Sequence, residues 1–273
     1  MHLELGIGVF AAMLLLVFLR MPIALAMFIT GAVGFAQLTS WDALLSHMND
    51  SPVSRVASYE LSVIPLFILM GQFATHGGLG RAMFRAARAW FGHYRGGLAI
   101  ATIGGCAGFG AICGSSIATG ATMTAIALPE MRRYGYSGAL ATGSLAAGGT
   151  LGILIPPSVI LVIYAIITEQ SIGDLFLAAL IPGLIATLGY VVAVMAFVRV
   201  VPGAGPAASR LPMTERINSL NAVWPVALIF ATVIGGIYFG LFTPTEGAAV
   251  GAAATGLYAS LMGKLGKTEI KIS

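Results

Sequence analysis

Apolar stretches separated by short polar or basic punctuation run along the whole chain, and their lengths predict helices of membrane-spanning size. Leu5 to Leu19 is the first, stopped by Arg20 and by Pro22, which suits the first turn of a following helix. Pro22 to Leu38 is the second. Thr39 to Glu60 is polar and mixed, with Trp41 and Tyr59 placed as interfacial anchors, and Leu61 to Thr75 is the third span. Gly80 to Arg95 changes character. Arg81, Arg85 and Arg88 recur three and four apart among Met83, Phe84, Ala87, Trp90 and Phe91, the pattern of a basic amphipathic helix lying at an interface.

The middle of the chain departs from simple spans. Gly96 to Leu128 holds two apolar arms around Gly114-Ser115-Ser116 and closes on Pro129-Glu130-Met131-Arg132-Arg133. Ser137 to Ile167, about 31 residues, would overfill a bilayer as one straight helix and is split by Pro156-Pro157. In lipid, non-helical backbone survives only where protein buries it or a watery cavity solvates it, so these two breaks form the candidate site. Ile172 to Val198 is a further span with Pro182 in its middle, and Val201 to Asn221 is a Pro/Gly/Ala-rich polar connector carrying Arg210 and Arg216. Trp224 to Phe242 spans again. Thr243-Pro244-Thr245-Glu246 then opens the last span, to Met262, as a capping box with Pro in the first turn.

Composition agrees: 58% of the 273 residues are hydrophobic and 9% charged, against roughly a quarter charged in soluble domains. The fold class expected is therefore an all-α, polytopic membrane protein. The first apolar run lacks the basic flank and small-residue site of a cleaved signal. Cys106 and Cys113, seven apart on one apolar segment, lie about 10 Å apart in rise and cannot bridge. The net charge of +4 argues for orientation in a membrane rather than for nucleic-acid binding. With the N-terminus outside and the two arms of 96–128 returning to the side they left, cytoplasmic loops carry Arg20, Arg81, Arg85, Arg88, Arg95, Arg132, Arg133, Arg199, Arg210, Arg216, Lys264, Lys267 and Lys271, leaving only Arg55 of the 14 basic residues outside. A re-entrant hairpin and two full spans place these loops identically. The abrupt Gly-Ser-Ser tip favours re-entry.

No Asp, Glu, Lys, Arg or His lies between Gly96 and Pro129 or between Tyr134 and Thr168, so proton relay through these segments is not expected. An intramembrane hydrolase built on Ser115 or Ser116 would need a base, and neither arm offers one. His2, His47, His76 and His93 all fall near predicted ends or interfaces. What the breaks offer is neutral oxygen: hydroxyls of Ser115, Ser116, Thr119 and Thr150, and carbonyls freed by unwinding at Gly114, Gly149, Gly152 and Ile155. Such oxygens bind hard monovalent cations such as Na+, and a helix restarting at Ser116 aims its positive end at the tip, where an anionic group fits. Taken singly, each of these residues is better explained by hydroxyls bonding back along a helix or gluing helices together and by glycine packing. The clustering of two breaks points to a site.

The same residues carry a family resemblance. GFGAICGSSIATGATM, then LPEMRRYGYSGALATGSLAAGGTLGILIPPSVILVIYAIITEQSIGDLFLAALIPG, and later FTPTEGAAVGA, resemble the large membrane subunit of the tripartite ATP-independent periplasmic (TRAP) transporters. The resemblance implies a secondary transporter importing organic acids on a Na+ gradient, without an organic cofactor, in the bacterial inner membrane. It implies three partners: a small membrane subunit, a periplasmic substrate-binding protein and the organic acid itself. The implied fold is an elevator of two inverted repeats, each with a hairpin and an unwound helix. That divides the chain into N-terminal scaffold spans (1–78), a basic arm helix (79–95), a transport-domain hairpin and broken helix (96–168), a span plus cytoplasmic connector (169–221) and the start of a second repeat (222–273). Ser115 and Ser116 match the hairpin tip and Gly149 through Ser158 the unwound helix, together resembling a first sodium site. Ser115, Ser116, Thr119, Thr150 and Pro156 are the candidate substrate contacts. Gly114, Ser115, Ser116, Gly149, Gly152 and Ile155 are the candidate Na+ ligands. By the same resemblance the chain stops at Ser273 about where a second interfacial helix would begin. The second hairpin and second sodium site are then expected outside it, and the chain alone is expected not to transport. The rival expectation is a truncated, non-transporting assembly or scaffold subunit whose breaks serve only packing.

Overall fold

The structure, a computed structural model, describes residues 2–56 and 59–263, and the chain divides into two units, Met1–Ser58 and Tyr59–Ser273. Lys264, Lys267 and Lys271 lie outside the described residues, as does the side chain of Arg55.

The first unit holds α1 (His2–Phe18), α2 (Ile23–Leu38) and α3 (Trp41–Val56). The α1–α2 turn is closed by Met21 N–H donating to Leu16 O at 3.1 Å, with Arg20 in the left-handed region at φ 65°. α2 buries Ala26, Thr30, Gly34 and Ala36, a stripe of small residues, and Thr30 satisfies its hydroxyl on Ala26 O at 2.8 Å. The stretch read above only as a polar interval is largely helical in α3, started by the Ser40 hydroxyl accepting from Ala43 N–H at 3.1 Å. Phe35 of α2 stacks on His47 of α3 with ring centroids 5.5 Å apart.

The second unit opens with a 3-10 turn (Tyr59–Ser62), then α4 (Val63–His76) and α5 (Leu79–Phe91), bent by 60° at Gly77-Gly78. That bend turns the basic amphipathic stretch away from the α4 axis, as an interfacial helix requires. α6 (Gly97–Cys113) is the axis of the unit, burying 14 of its 17 residues against α4, α5, α7, α8, α10 and α12. It leads to α7 (Ser116–Arg133), α8 (Gly138–Leu154), α9 (Val159–Thr168), α10 (Ile172–Val200), α11 (Met213–Leu220), α12 (Trp224–Tyr238) and α13 (Pro244–Leu261). α10 runs through Pro182 without interruption. The capping box at α13 forms as its sequence predicts: Glu246 N–H donates to Thr243 Oγ1 at 3.3 Å and Thr243 N–H to Glu246 Oε2 at 2.8 Å. α13 packs on α4 and α12, with Gly251 set against Met70 and Val233.

Among the described residues every regular element is helical, and by length and composition α10 (Ile172–Val200) can cross a bilayer, as can α11 and α12 taken together (Met213–Tyr238). The bent pairs α4–α5 and α8–α9 reach the same apolar length together. The molecule is an all-α polytopic membrane protein.

One end of the second unit gathers three basic stretches. Arg88 of α5 pairs with Glu130 at 2.6 Å and donates to Tyr134 OH at 3.1 Å, tying the arm to the far end of α7. The connector between α10 and α11 is no free loop. Gly96 N–H donates to Gly205 O at 2.8 Å, Ser137 N–H to Ala204 O at 2.9 Å, and Ala208 N–H to Gly92 O at 2.9 Å. The connector therefore straps the first turns of α6 and α8 together. Tyr136 OH adds a cap, accepting from Leu98 N–H at 2.9 Å.

Candidate functional site

The two sequence breaks meet. From the strapped end, α6 and α8 each run 17 residues, about 25 Å, before breaking, so the tip at Gly114-Ser115 and the break at Ile155 to Ser158 sit at one depth. Val159 N–H donates to Gly114 O at 3.3 Å across them. Gly114 stands at φ 63°, and a methyl group there would lie 2.7 Å from Pro157 O, so both the turn and the close approach demand glycine. α9 then continues for a further 10 residues, about 15 Å, at 45° to α8. The hairpin therefore ends well short of the far end of α9.

Both breaks restart in the same way. Ser115 (φ −134°, ψ 123°) accepts from Ala118 N–H at 3.4 Å, and Ser158 (φ −134°, ψ 128°) accepts from Leu161 N–H at 3.5 Å. Each is an N-cap that leaves the preceding helix and starts the next. The C-terminal ends of α6 and α8, whose last carbonyls lack a helical partner, thus lie beside the N-terminal ends of α7 and α9. Negative and positive helix ends share one buried place.

Glycine brings the backbones into contact there. A methyl group at Gly152 would lie 2.6 Å from Thr119 Oγ1 and 2.8 Å from Ser115 O, and one at Gly149 would lie 3.6 Å from Ser116 O. The Thr119 hydroxyl is fully buried and has no oxygen or nitrogen partner, its one polar contact being the weakly hydrogen-bonding Cys113 thiol. A buried hydroxyl left with only a thiol for company is poorly satisfied, so its place beside the Ser115 carbonyl fits an oxygen held for a ligand. Ser116 is half-buried. Ile155 and Pro156 are buried at the break itself, where the Pro156–Pro157 peptide is cis.

The structure thus brings Gly114, Ser115, Ser116, Thr119, Gly149, Gly152, Ile155 and Pro156 together. Thr150 lines the α7–α8 groove beside Ser116 and Gly149, but its hydroxyl is engaged elsewhere. That residue is exposed, and its hydroxyl donates to Ala147 O at 2.7 Å and lies 3.1 Å from Tyr190 OH of α10. Val159 through its amide and Cys113 were not singled out from sequence as site residues, and Ser158 entered only as the end of the unwound stretch. The serine had a visible signal, because Pro-Pro-Ser repeats the breaker-then-cap logic of Gly-Ser-Ser. A backbone amide has no side-chain signature. Cys106 and Cys113 are both buried and unbridged, in line with their spacing.

Among the described residues no cluster of three His, Cys, Asp or Glu side chains is placed to hold a metal, so any ligand here meets neutral oxygens and helix ends. Discontinuous helices with hydroxyl and carbonyl oxygens at their junction are a way in which membrane transporters build ion and substrate sites. Residues 10–272 match the model of the tripartite ATP-independent periplasmic transporter DctM component, and the chain belongs to this family of TRAP large permease proteins. It is 45% identical over 195 residues, 71% of this chain and 45% of the relative, to the C4-dicarboxylate TRAP transporter large permease protein DctM of Pseudomonas aeruginosa. To the ectoine TRAP transporter large permease protein TeaC of Halomonas elongata it is 32% identical over 266 residues, 96% of this chain and 60% of the relative. To the sialic acid TRAP transporter permease protein SiaT of Haemophilus influenzae it is 31% identical over 261 residues, 95% of this chain and 41% of the relative. The chain spans about half the length of the curated relatives it matches.

Proposed function

We propose that this chain carries one half of the ion and substrate site of a Na+-coupled importer of organic acid anions. The single observation behind this reading is the meeting of the α6–α7 tip with the α8–α9 break around the buried Thr119 hydroxyl, which has no oxygen or nitrogen partner. Na+ travels as a co-transported cation. It takes its oxygens from the Ser115 and Thr119 neighbourhood and from the last carbonyls of α6 and α8, whose helix ends are negative. The anionic group of the substrate is favoured at the N-terminal ends of α7 and α9. The α6–α7 hairpin re-enters the membrane from the strapped, basic end, which is cytoplasmic by the positive-inside rule, and the N-terminus is periplasmic. A small membrane subunit and a periplasmic binding protein complete the transporter in the bacterial inner membrane. The hairpin and broken helix move together as the carried body of an elevator, because their tips and their first turns are bonded to one another. Named substrates of the relatives include a C4-dicarboxylate, ectoine and sialic acid, so the family does not fix the substrate.

The test is uptake of a labelled organic acid into proteoliposomes holding the complete transporter that contains this chain. With an inward Na+ gradient, Thr119→Val is expected to raise the Na+ concentration for half-maximal uptake about tenfold, the scale of one hydrogen-bonding group withdrawn from a charged ligand. Assembly is expected to stay unchanged. Uptake indifferent to the Na+ gradient, or driven equally by a proton gradient, would overturn the reading.

A further inference from the structure

At the strapped end, the loop after α5 and the first turn of α6 face the last turns of α10 across a groove of about 440 Å³. Its walls are hydrocarbon, from Ile100, Val191 and Met195, with the exposed Tyr94 ring at the rim. Arg95 and Arg199 also line it, and both are exposed. Neither has an acidic partner: the one ion pair among the described residues is Arg88–Glu130. The grooves between α1 and α2, between α7 and α8, and between α8 and α10 are lined without a charged residue. This groove alone among the four joins an apolar trough to two unpaired cations. α10 places Arg199 in its last turn, and eight residues back, about 12 Å along the axis, Val191 still lines the wall.

We infer that this groove is a binding site for an anionic phospholipid, its phosphate held by Arg95 and Arg199 and an acyl chain lying along Val191 and Met195. The chemistry is that of a basic pocket between helices at a membrane interface, where two guanidinium groups recognise phosphate and the trough takes the chain. A free phosphate would satisfy the arginines and leave the hydrocarbon wall unused. A zwitterionic headgroup would bring its own ammonium against them. The site is independent of the ion site at the helix breaks, so it stands or falls apart from the transport reading.

Native mass spectrometry of the purified chain in detergent, titrated with dioleoylphosphatidylglycerol, dioleoylphosphatidylcholine or inorganic phosphate, is the test. Phosphatidylglycerol is expected to bind with one tight stoichiometry, phosphatidylcholine weakly, and inorganic phosphate not to displace the lipid. Neutralising both surface cations in R95Q/R199Q is expected to weaken phosphatidylglycerol binding roughly 30-fold, and Arg199→Gln alone about fivefold. Met195→Trp, which fills the trough and leaves both arginines, is expected to weaken it as well. Both arginines are exposed, so the variants are expected to melt as the parent does. Equal retention of phosphatidylglycerol by R95Q/R199Q, equal binding of phosphatidylcholine, or displacement by phosphate or by an added membrane subunit would each overturn the proposal.

Discussion

α6 and α10 are both long, apolar and nearly featureless to a hydropathy reading, yet their surroundings are opposite. α6 buries 14 of 17 residues, whereas α10 buries five of 29. The difference lies in what the neighbouring backbones allow. α6 meets α8 at Gly110 and Gly152, where a methyl group on Gly110 would stand 2.7 Å from the Gly152 Cα. α10 reaches the bundle at a few points, such as Gly183 against Ile155 and Tyr190 beside Thr150, and turns Ile181, Leu184, Ile185 and Leu188 outward. Hydrophobicity puts both helices in the membrane, but glycine decides which one the protein closes around, since close packing rather than water exclusion drives helix association in lipid.

The comparison breaks most directly at Gly152. Gly152→Val must displace both Thr119 and the Ser115 backbone, and is expected to cost about 1–3 kcal/mol in thermal unfolding and to abolish uptake by the complete transporter. Leu188→Val on the exposed face of α10 is expected to stay within about 0.5 kcal/mol. Equal melting of the two variants would show that the glycine contact does not set the core.

A middle-sized effect belongs to the strapped end. Arg88→Gln removes a partly exposed ion pair with Glu130 and the bond to Tyr134, at about 1 kcal/mol by chemical or thermal unfolding. Because the pair joins α5 to the hairpin, uptake is expected to slow more than stability falls. Unchanged uptake would separate the arm from the hairpin's movement.

The smallest effect is a pH dependence. Arg216, buried on α11, donates through Nη2 to His93 Nδ1 at 3.0 Å, and since guanidinium only donates, His93 must keep Nδ1 unprotonated. Burial, then the charges of Arg216 and Arg210, hold the His93 pKa below its ordinary value. The unfolded chain then takes up the proton first as pH falls, so the contact's contribution is full above about pH 6.5 and is lost progressively below it. A small fall in unfolding temperature between about pH 7.5 and pH 5.5, flattened in His93→Gln, is expected. Parallel curves for the two proteins would remove His93 from the strap.

The sequence locates much of this. Gly114-Ser115-Ser116 and Pro156-Pro157 mark the breaks because nothing else stops so apolar a run, and Thr243 with Glu246 announces its own cap. Glycines at 149 and 152 could be proposed for the site but not oriented, because glycine spacing records a close approach without naming the partner. Thr150 illustrates the cost. One residue along the helix from Gly149, it lines the same groove as Ser116 yet engages its hydroxyl with Tyr190, a distinction that composition does not carry. The connector was least legible. Its three bonds to Gly92, Gly96 and Ser137 are backbone to backbone, so Ala204, Gly205 and Ala208 show no side-chain reason to be anything but loop. α3 was missed for a related cause: its polar sequence lacks an apolar period, and its starting cap at Ser40 stands before no hydrophobic run.

The strap also settles where this protein can be labelled. Gly203 sits at the exposed entrance of the connector with φ 86° and open space where a side chain would begin, and the next five residues are committed by Ala204, Gly205 and Ala208 to three different neighbours. A fluorophore, epitope or protease site inserted at 202–203 is expected to leave those three bonds in place, while the same insertion between Ala204 and Gly205 would unpick the joint between the first turns of α6 and α8. Two positions in one short loop thus separate a silent reporter from a disconnected hairpin.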